Sequence, residues 1–211
     1  MDSEIFQRGW YQENFVDSYR ISKTIVNYPN NEKTEVSRWI YDKNNFLESI
    51  ITNENEDETI GIFIYDSGLL VSTEEYKNGK KTTYSLYEYE KNNNIKDILK
   101  KVTTFHANGK LKNSSEYVFE NDIMIKTLNF SSENIPKYEY IHKYDDNKKK
   151  ICTYRQNITE YPGQDMYYIY STREYNKKGL LEEISCSDGA NVKFIWENGF
   201  TTYDFNRYYQ N

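Results

Sequence analysis

The sequence predicts an all-β fold: an antiparallel meander of roughly 12–16 strands joined as successive hairpins, wound as a curved single sheet or an open barrel-like wrap behind a short N-terminal element. Three observations predict it. A turn signal led by an aromatic residue recurs along the chain, the runs between turns alternate with period two, and the composition supplies many rings but few aliphatics.

The turn signal is an aromatic that closes a strand, two or three polar residues with Asn or Gly, then an aliphatic that opens the next. It reads Tyr41-Asp42-Lys43-Asn44-Asn45-Phe46-Leu47, Tyr65-Asp66-Ser67-Gly68-Leu69-Leu70, Tyr76-Lys77-Asn78-Gly79-Lys80 and Phe105-His106-Ala107-Asn108-Gly109-Lys110-Leu111. Later copies begin at Phe119, Tyr144, Tyr175 and Trp196. Asn-Gly at 78–79, 108–109 and 198–199 suits two-residue type I′ turns, whose central residues both need positive φ. Between the turns, Lys137 to Tyr144 places Tyr138, Tyr140, His142 and Tyr144 on one face, and period two means strand. Leu86–Tyr89, Glu116–Phe119 and Met166–Tyr170 repeat that pattern. Pro29, Pro136 and Pro162 fall at run boundaries, where a missing amide donor is tolerated.

Residues 1–38 are expected to form a lead-in continuous with the sheet, and 39–211 a hairpin-repeat β domain, one domain overall. Ile5, Phe6, Trp10 and Phe15 allow a short helix or an irregular entry over Glu4–Tyr19. Ile95, Ile98 and Leu99 stand at i, i+3, i+4, so Asn92–Lys101 reads as a helical turn or a long loop. A long meander must protect its edges, and Lys148-Lys149-Lys150 suits an edge strand.

Hydrophobic residues make up 37% of the chain and aromatics 17%, including 22 Tyr. That predicts a thin core, because tyrosine buries its ring while keeping its hydroxyl hydrogen-bonded. A net charge of −6 disfavours a nucleic-acid partner, which selects a basic footprint. The acidic start Met1-Asp2-Ser3-Glu4 and the lack of a run of about 20 apolar residues give the expectation of a cytoplasmic protein without a membrane partner. Cys152 and Cys186 are expected to be free, buried thiols.

No catalytic constellation stands out, so the expectation is a protein that is not an enzyme. His106 lies in a turn, and His142 shares a face with tyrosines, where a packed ring is the plainer reading. The cysteines lack the short-spaced pairs of a metal site, and no cofactor is expected. Glu74-Glu75, Asp145-Asp146 and Glu182-Glu183 each point to opposite faces of a strand or lie at a turn, which is a poor start for paired carboxylates. The tyrosine faces have two readings: cross-strand ladders that stabilise the sheet, or a binding surface, since Tyr and Trp dominate interface hot spots. The candidates for partner contact are Trp39, Tyr87, Tyr89, Tyr138, Tyr140, Tyr168, Tyr170, Glu139 and Asp145.

Tyr65-Asp66-Ser67-Gly68-Leu69-Leu70 and Glu174-Tyr175-Asn176-Lys177-Lys178-Gly179-Leu180-Leu181 resemble the tyrosine-aspartate (YD) repeats of Rhs-type bacterial proteins and the repeats of MORN-variant, antitoxin-like proteins. The resemblance implies a bacterial hairpin-repeat protein. It further implies a non-enzymatic protein-binding module, an immunity protein or antitoxin neutralising a cognate toxin of basic charge. The alternative is a carbohydrate-binding or surface module using its rings as stacking platforms, which would be exported.

Overall fold

The computed structural model describes residues 15–16, 19–27, 34–44, 46–54, 57–91, 97–121, 123–164 and 166–198. Among these residues the chain forms strands and turns without a helix. The strands are β1 (Phe15–Val16), β2 (Tyr19–Asn27), β3 (Thr34–Tyr41), β4 (Leu47–Glu54), β5 (Asp57–Asp66), β6 (Leu69–Lys77), β7 (Lys80–Glu90) and β8 (Ile98–His106). They continue with β9 (Leu111–Glu120), β10 (Ile123–Phe130), β11 (Pro136–Tyr144), β12 (Lys150–Asn157), β13 (Tyr168–Tyr175), β14 (Leu181–Cys186) and β15 (Asn191–Asn198). The expected antiparallel meander is therefore what forms. Pairing follows chain order from β3 to β15, and β2 pairs with both β15 and β3, so the order returns on itself.

The turn chemistry explains the repeat. Ser67 (φ 49°) and Gly68 (φ 82°) join β5 to β6, and Asn78 (φ 50°) and Gly79 (φ 75°) join β6 to β7, both with the two positive φ values of a type I′ turn. Asn108-Gly109 differs from expectation. Gly109 alone of the pair has positive φ, and a longer turn closes through His106 N–H to Lys110 O at 2.8 Å and Gly109 N–H to His106 O at 2.9 Å. Where a polar residue follows the aromatic, its side chain replaces a backbone acceptor. Asp42 Oδ1 accepts from the amides of Asn44 and Phe46, both at 2.8 Å, and Asn176 Oδ1 from those of Lys178 and Leu180 at 2.9 and 3.1 Å.

The aromatic itself marks a break in register. The ladder shifts at Ile40/Tyr41, Glu75/Tyr76, Glu88/Tyr89, Thr104/Phe105, Asn129/Phe130, Lys143/Tyr144 and Ile195/Trp196. Such bulges bend and twist a sheet locally. Four of the rings also tie down a neighbouring strand: Tyr41 hydroxyl donates to Ile21 O at 2.8 Å, Tyr89 to Leu70 O at 2.9 Å, Tyr144 to Met124 O at 2.6 Å, and Trp196 Nε1–H to Leu181 O at 2.8 Å.

Several expectations meet a different outcome. The lead-in over Glu4–Tyr19, with Trp10, lies outside the described residues apart from β1 and the start of β2, as do Pro29, residues 92–96 and Gly199. Ile98 and Leu99 belong to strand β8, not to a helical turn, because Ile98 pairs with Glu90 and Leu99 with Tyr89. Lys148-Lys149-Lys150 guards no edge: β11 and β12 both have two neighbours, Lys148 takes the positive φ (61°) of the turn, and Lys150 is buried with its ammonium 6.0 Å from the Tyr144 ring centre. Neither Cys152 nor Cys186 is in a disulfide, and both are half-buried rather than buried.

The chain divides into two compact units, residues 1–62 with 173–211, and residues 63–172. In the first, Ile21, Val26, Leu181, Ile184, Val192 and Phe194 form the core, with Trp39, Tyr175, Cys186 and Trp196 packed against it. In the second, Val102, Tyr117 and Met124 form a smaller cluster lined by Tyr87, Leu99 and Phe119. Both units supplement these apolar cores with hydroxyls paired across strands: Ser37 with Thr52 at 2.8 Å in the first, Ser85 with Thr104 at 2.9 Å in the second. Satisfied polar pairs of this kind let a chain of mean hydropathy −0.94 bury its strands.

Candidate functional site

A concavity of the second unit is built on β11, β12 and β13. Alternation puts Tyr138, Tyr140 and His142 on one face of β11, and the register sets Asn157, Arg155 and Thr153 opposite them on β12. Tyr168 then pairs with Arg155 from β13. His142 bridges Thr127 Oγ1 at 3.0 Å and Thr153 Oγ1 at 3.3 Å, a structural role deeper on the same face.

Arg155 is the centre of the arrangement. Its guanidinium carbon lies 5.0 Å from the ring centre of Tyr138, 5.1 Å from Tyr168 and 4.5 Å from Tyr170, within cation–π range of all three. Tyr140 backs the group, edge-on to Tyr170 at 5.5 Å. Nε–H donates to the Tyr168 hydroxyl. Burial works against the charge, but that hydrogen bond and the surrounding tyrosine oxygens outweigh it and hold the guanidinium above its ordinary range.

A cleft of about 530 Å³ opens beside this cluster, lined by Tyr138, Arg155, Asn157, Glu160, Tyr161, Met166, Tyr167 and Tyr168. The β12–β13 connection forms its rim and is pinned. Asn157 Oδ1 accepts from the Thr159 and Glu160 amides at 3.1 and 3.2 Å, Thr159 Oγ1 donates to Pro136 O at 3.2 Å, and Gln156 Nε2 donates to the carbonyls of Tyr161 and Gln164. Apolar surface is left open at this rim: Met166 is 51% exposed, Tyr168 41% and Tyr161 39%.

The structure gathers four of the sequence-predicted residues, Tyr138, Tyr140, Tyr168 and Tyr170, about one arginine, and places the other five elsewhere. Glu139 faces the opposite side, where it takes the Tyr167 hydroxyl and the Lys126 ammonium, the latter at 3.1 Å. Asp145 is a turn residue whose Oδ1 accepts from the Asn147 and Lys149 amides at 2.9 and 2.8 Å. Tyr87 packs on the Val102 cluster, and Tyr89 holds Leu70 O. Trp39 belongs to the first unit, with Nε1–H donating to Thr24 Oγ1 at 3.3 Å. Sequence reasoning missed Arg155, Asn157, Glu160, Tyr161, Met166 and Tyr167. The available signal was an arginine placed at period two from Thr153 and Asn157 between two tyrosine-rich strands.

Among the described residues no cluster of His, Cys, Asp and Glu is arranged to hold a metal ion. No protein-family model matches the chain, and no curated protein matches it. Solved structures do share its shape. A porin-like protein from Bacteroides uniformis superposes with a TM-score of 0.53 at 8% identity, covering 84% of this chain and 98% of that one. A porin-like protein from Bacteroides vulgatus gives 0.49 at 8% over 84% and 98%, and the Photorhabdus luminescens Tc holotoxin pore gives 0.30 at 15% over 79% and 10%.

The first likeness supports the fold and overturns the cytoplasmic expectation. That expectation rested on the acidic start and the missing apolar run, yet a strand ladder whose pairing returns on itself needs no such run to meet a membrane. The fold is shared with a porin-like protein, and the cytoplasmic expectation is overturned.

Proposed function

We propose that the chain is a non-enzymatic binding module of the cell envelope, and that the Tyr–Arg cleft of β11–β13 receives a saccharide. The observation that carries this reading is the cleft itself. Its 530 Å³ falls within the roughly 300–1,000 Å³ of small-molecule sites, and rings combined with a few convergent polar groups are the usual lining of such sites. Tyr161 and Tyr168 offer ring surface to sugar C–H faces, while Asn157 and Glu160 offer partners for hydroxyls. Glu160 is the single carboxylate among the described residues of that lining, whereas glycoside hydrolysis uses two. The surface-module reading also agrees with export, on which the toxin-neutralising reading does not depend.

The outer-membrane likeness is one of fold. In the second unit, the face opposite the Val102–Tyr117–Met124 cluster carries Lys101 paired with Glu116 at 3.2 Å and Lys126 with Glu139 at 3.1 Å, at mid-strand. Lysine facing lipid near the bilayer midplane costs about 2–4 kcal/mol, so these strands suit a water-facing module held in the envelope better than a conducting pore. A protein partner, including a basic toxin, is the second reading. It is favoured by the exposed Met166, Tyr168 and Ile169, since Met and Tyr are enriched in interface cores.

Purified chain applied to an immobilised glycan panel tests the first reading. Binding that Tyr161→Ala and Tyr168→Ala both abolish supports it. A blank panel, together with capture of a protein partner that the same variants lose, supports the second reading instead.

A further inference from the structure

We infer that the saccharide carries a carboxylate, and that Arg155 reads it. This rests on the saccharide reading of the cleft and adds the ligand's charge. Arg155 is the one cation among the described residues that line the cleft. Of the five N–H donors of a guanidinium, the Nε–H is committed to the Tyr168 hydroxyl, and no carboxylate among the described residues pairs with the rest. Among the described residues the positive charge faces the rings of Tyr138, Tyr168 and Tyr170 and the hydroxyl oxygens of Tyr140 and Tyr168, none of which carries a formal negative charge.

A guanidinium clamped in this way has little rotamer freedom left to lose on binding, and its remaining donors form the planar fork that suits a carboxylate. Glu160, also on the lining, sets polarity along the cleft. The acid belongs at the Arg155 end, and neutral hydroxyls belong at the Glu160 end, where they donate to its carboxylate. A neutral sugar leaves the guanidinium without a counter-ion, and a simple anion leaves the Asn157–Glu160 end unfilled.

Titration calorimetry on the full chain with α-1,4-digalacturonate, its neutral counterpart galactobiose, and acetate tests the inference. The expected result is digalacturonate bound at least tenfold more tightly than galactobiose at low salt, with the preference falling severalfold in 0.5 M NaCl. Arg155→Gln brings the two sugars to within about twofold of each other, and Arg155→Lys gives an intermediate preference because the charge stays and the fork is lost. Should Arg155→Gln fail to fold, the salt response of the wild-type chain and the Arg155→Lys comparison carry the same test.

Equal binding of both sugars, or a preference that survives Arg155→Gln and high salt, overturns the inference and leaves the saccharide reading standing. Acetate binding as tightly as digalacturonate reduces the site to an anion pocket and also overturns it. If none of the three binds, the saccharide reading fails and this inference fails with it.

Discussion

Replacing Tyr41, Tyr89 and Tyr144 together by phenylalanine removes three hydroxyls that each donate to a backbone carbonyl of a neighbouring strand, Ile21 O, Leu70 O and Met124 O, at 2.8, 2.9 and 2.6 Å. Ile21, Leu70 and Met124 are buried, so the carbonyls gain no easy replacement from water. Each lost bond costs about 1 kcal/mol net, more where the acceptor stays dry. Tyr41 lies in the first unit, Tyr89 and Tyr144 in the second, and the three hydroxyls have different acceptors. The effects should therefore add, to about 3 kcal/mol. Against total stabilities of about 5–15 kcal/mol that is a large share, and for a chain of this length it lowers the melting temperature by roughly 6–12 °C. Urea titration followed by far-ultraviolet circular dichroism reads the change, with Tyr84→Phe as the control, because Tyr84 stacks on Phe105 at 5.1 Å through its ring. A triple variant within about 1 kcal/mol of wild type, or a control that loses as much as one member of the set, would show that the repeat aromatics act through ring burial alone.

The remaining predictions concern turns and charge. Gly79→Ala meets no atom within 4 Å at its new Cβ, so its cost is backbone strain at φ 75°, about 1–2 kcal/mol, readable as a shifted urea midpoint with an unchanged slope. Asp145→Ala strips two amide hydrogen bonds from the β11–β12 turn and should cost about 1 kcal/mol, while Asp145→Asn, which keeps an oxygen acceptor, should cost less than half as much. The hydrogen bond from Lys81, then that from Tyr76, hold the Glu74 carboxyl below its ordinary 4.5 despite partial burial. A depressed folded-state value means that the stabilisation is present at neutral pH and is lost as pH falls through that value. Glu74→Gln should therefore be the less stable protein at pH 7, and the gap should close as urea midpoints are followed into acid.

The fold was legible because its signals are local. Ser67-Gly68 and Asn78-Gly79 carry their backbone geometry in their residue types, and Tyr41, Tyr76, Phe105 and Tyr144 each stand where the register shifts. Asn108-Gly109 shows the limit of such signals, since the same dipeptide closes a longer turn when Phe105 and His106 end their strand two residues earlier. What stayed hidden depends on contacts distant in sequence. The pairing of Thr24 with Phe194, which completes the ladder, has no local cue. Arg155 likewise meets Tyr138, Tyr168 and Tyr170 only once β11 and β13 flank β12 and the irregularity at Thr153/Tyr154 sets its alignment. Tyrosine-rich faces were visible as candidates, but composition did not separate a ring that holds a carbonyl, as Tyr89 does, from one that walls a cleft, as Tyr168 does.

Hydrogen–deuterium exchange with and without α-1,4-digalacturonate tests most directly whether the cleft around Arg155 is where this chain binds. Slowed exchange is expected, confined to the strand ends and connection that build it, residues 137–141, 153–161 and 166–170. Protection elsewhere with none in those segments, at a ligand concentration where calorimetry shows saturation, would contradict it.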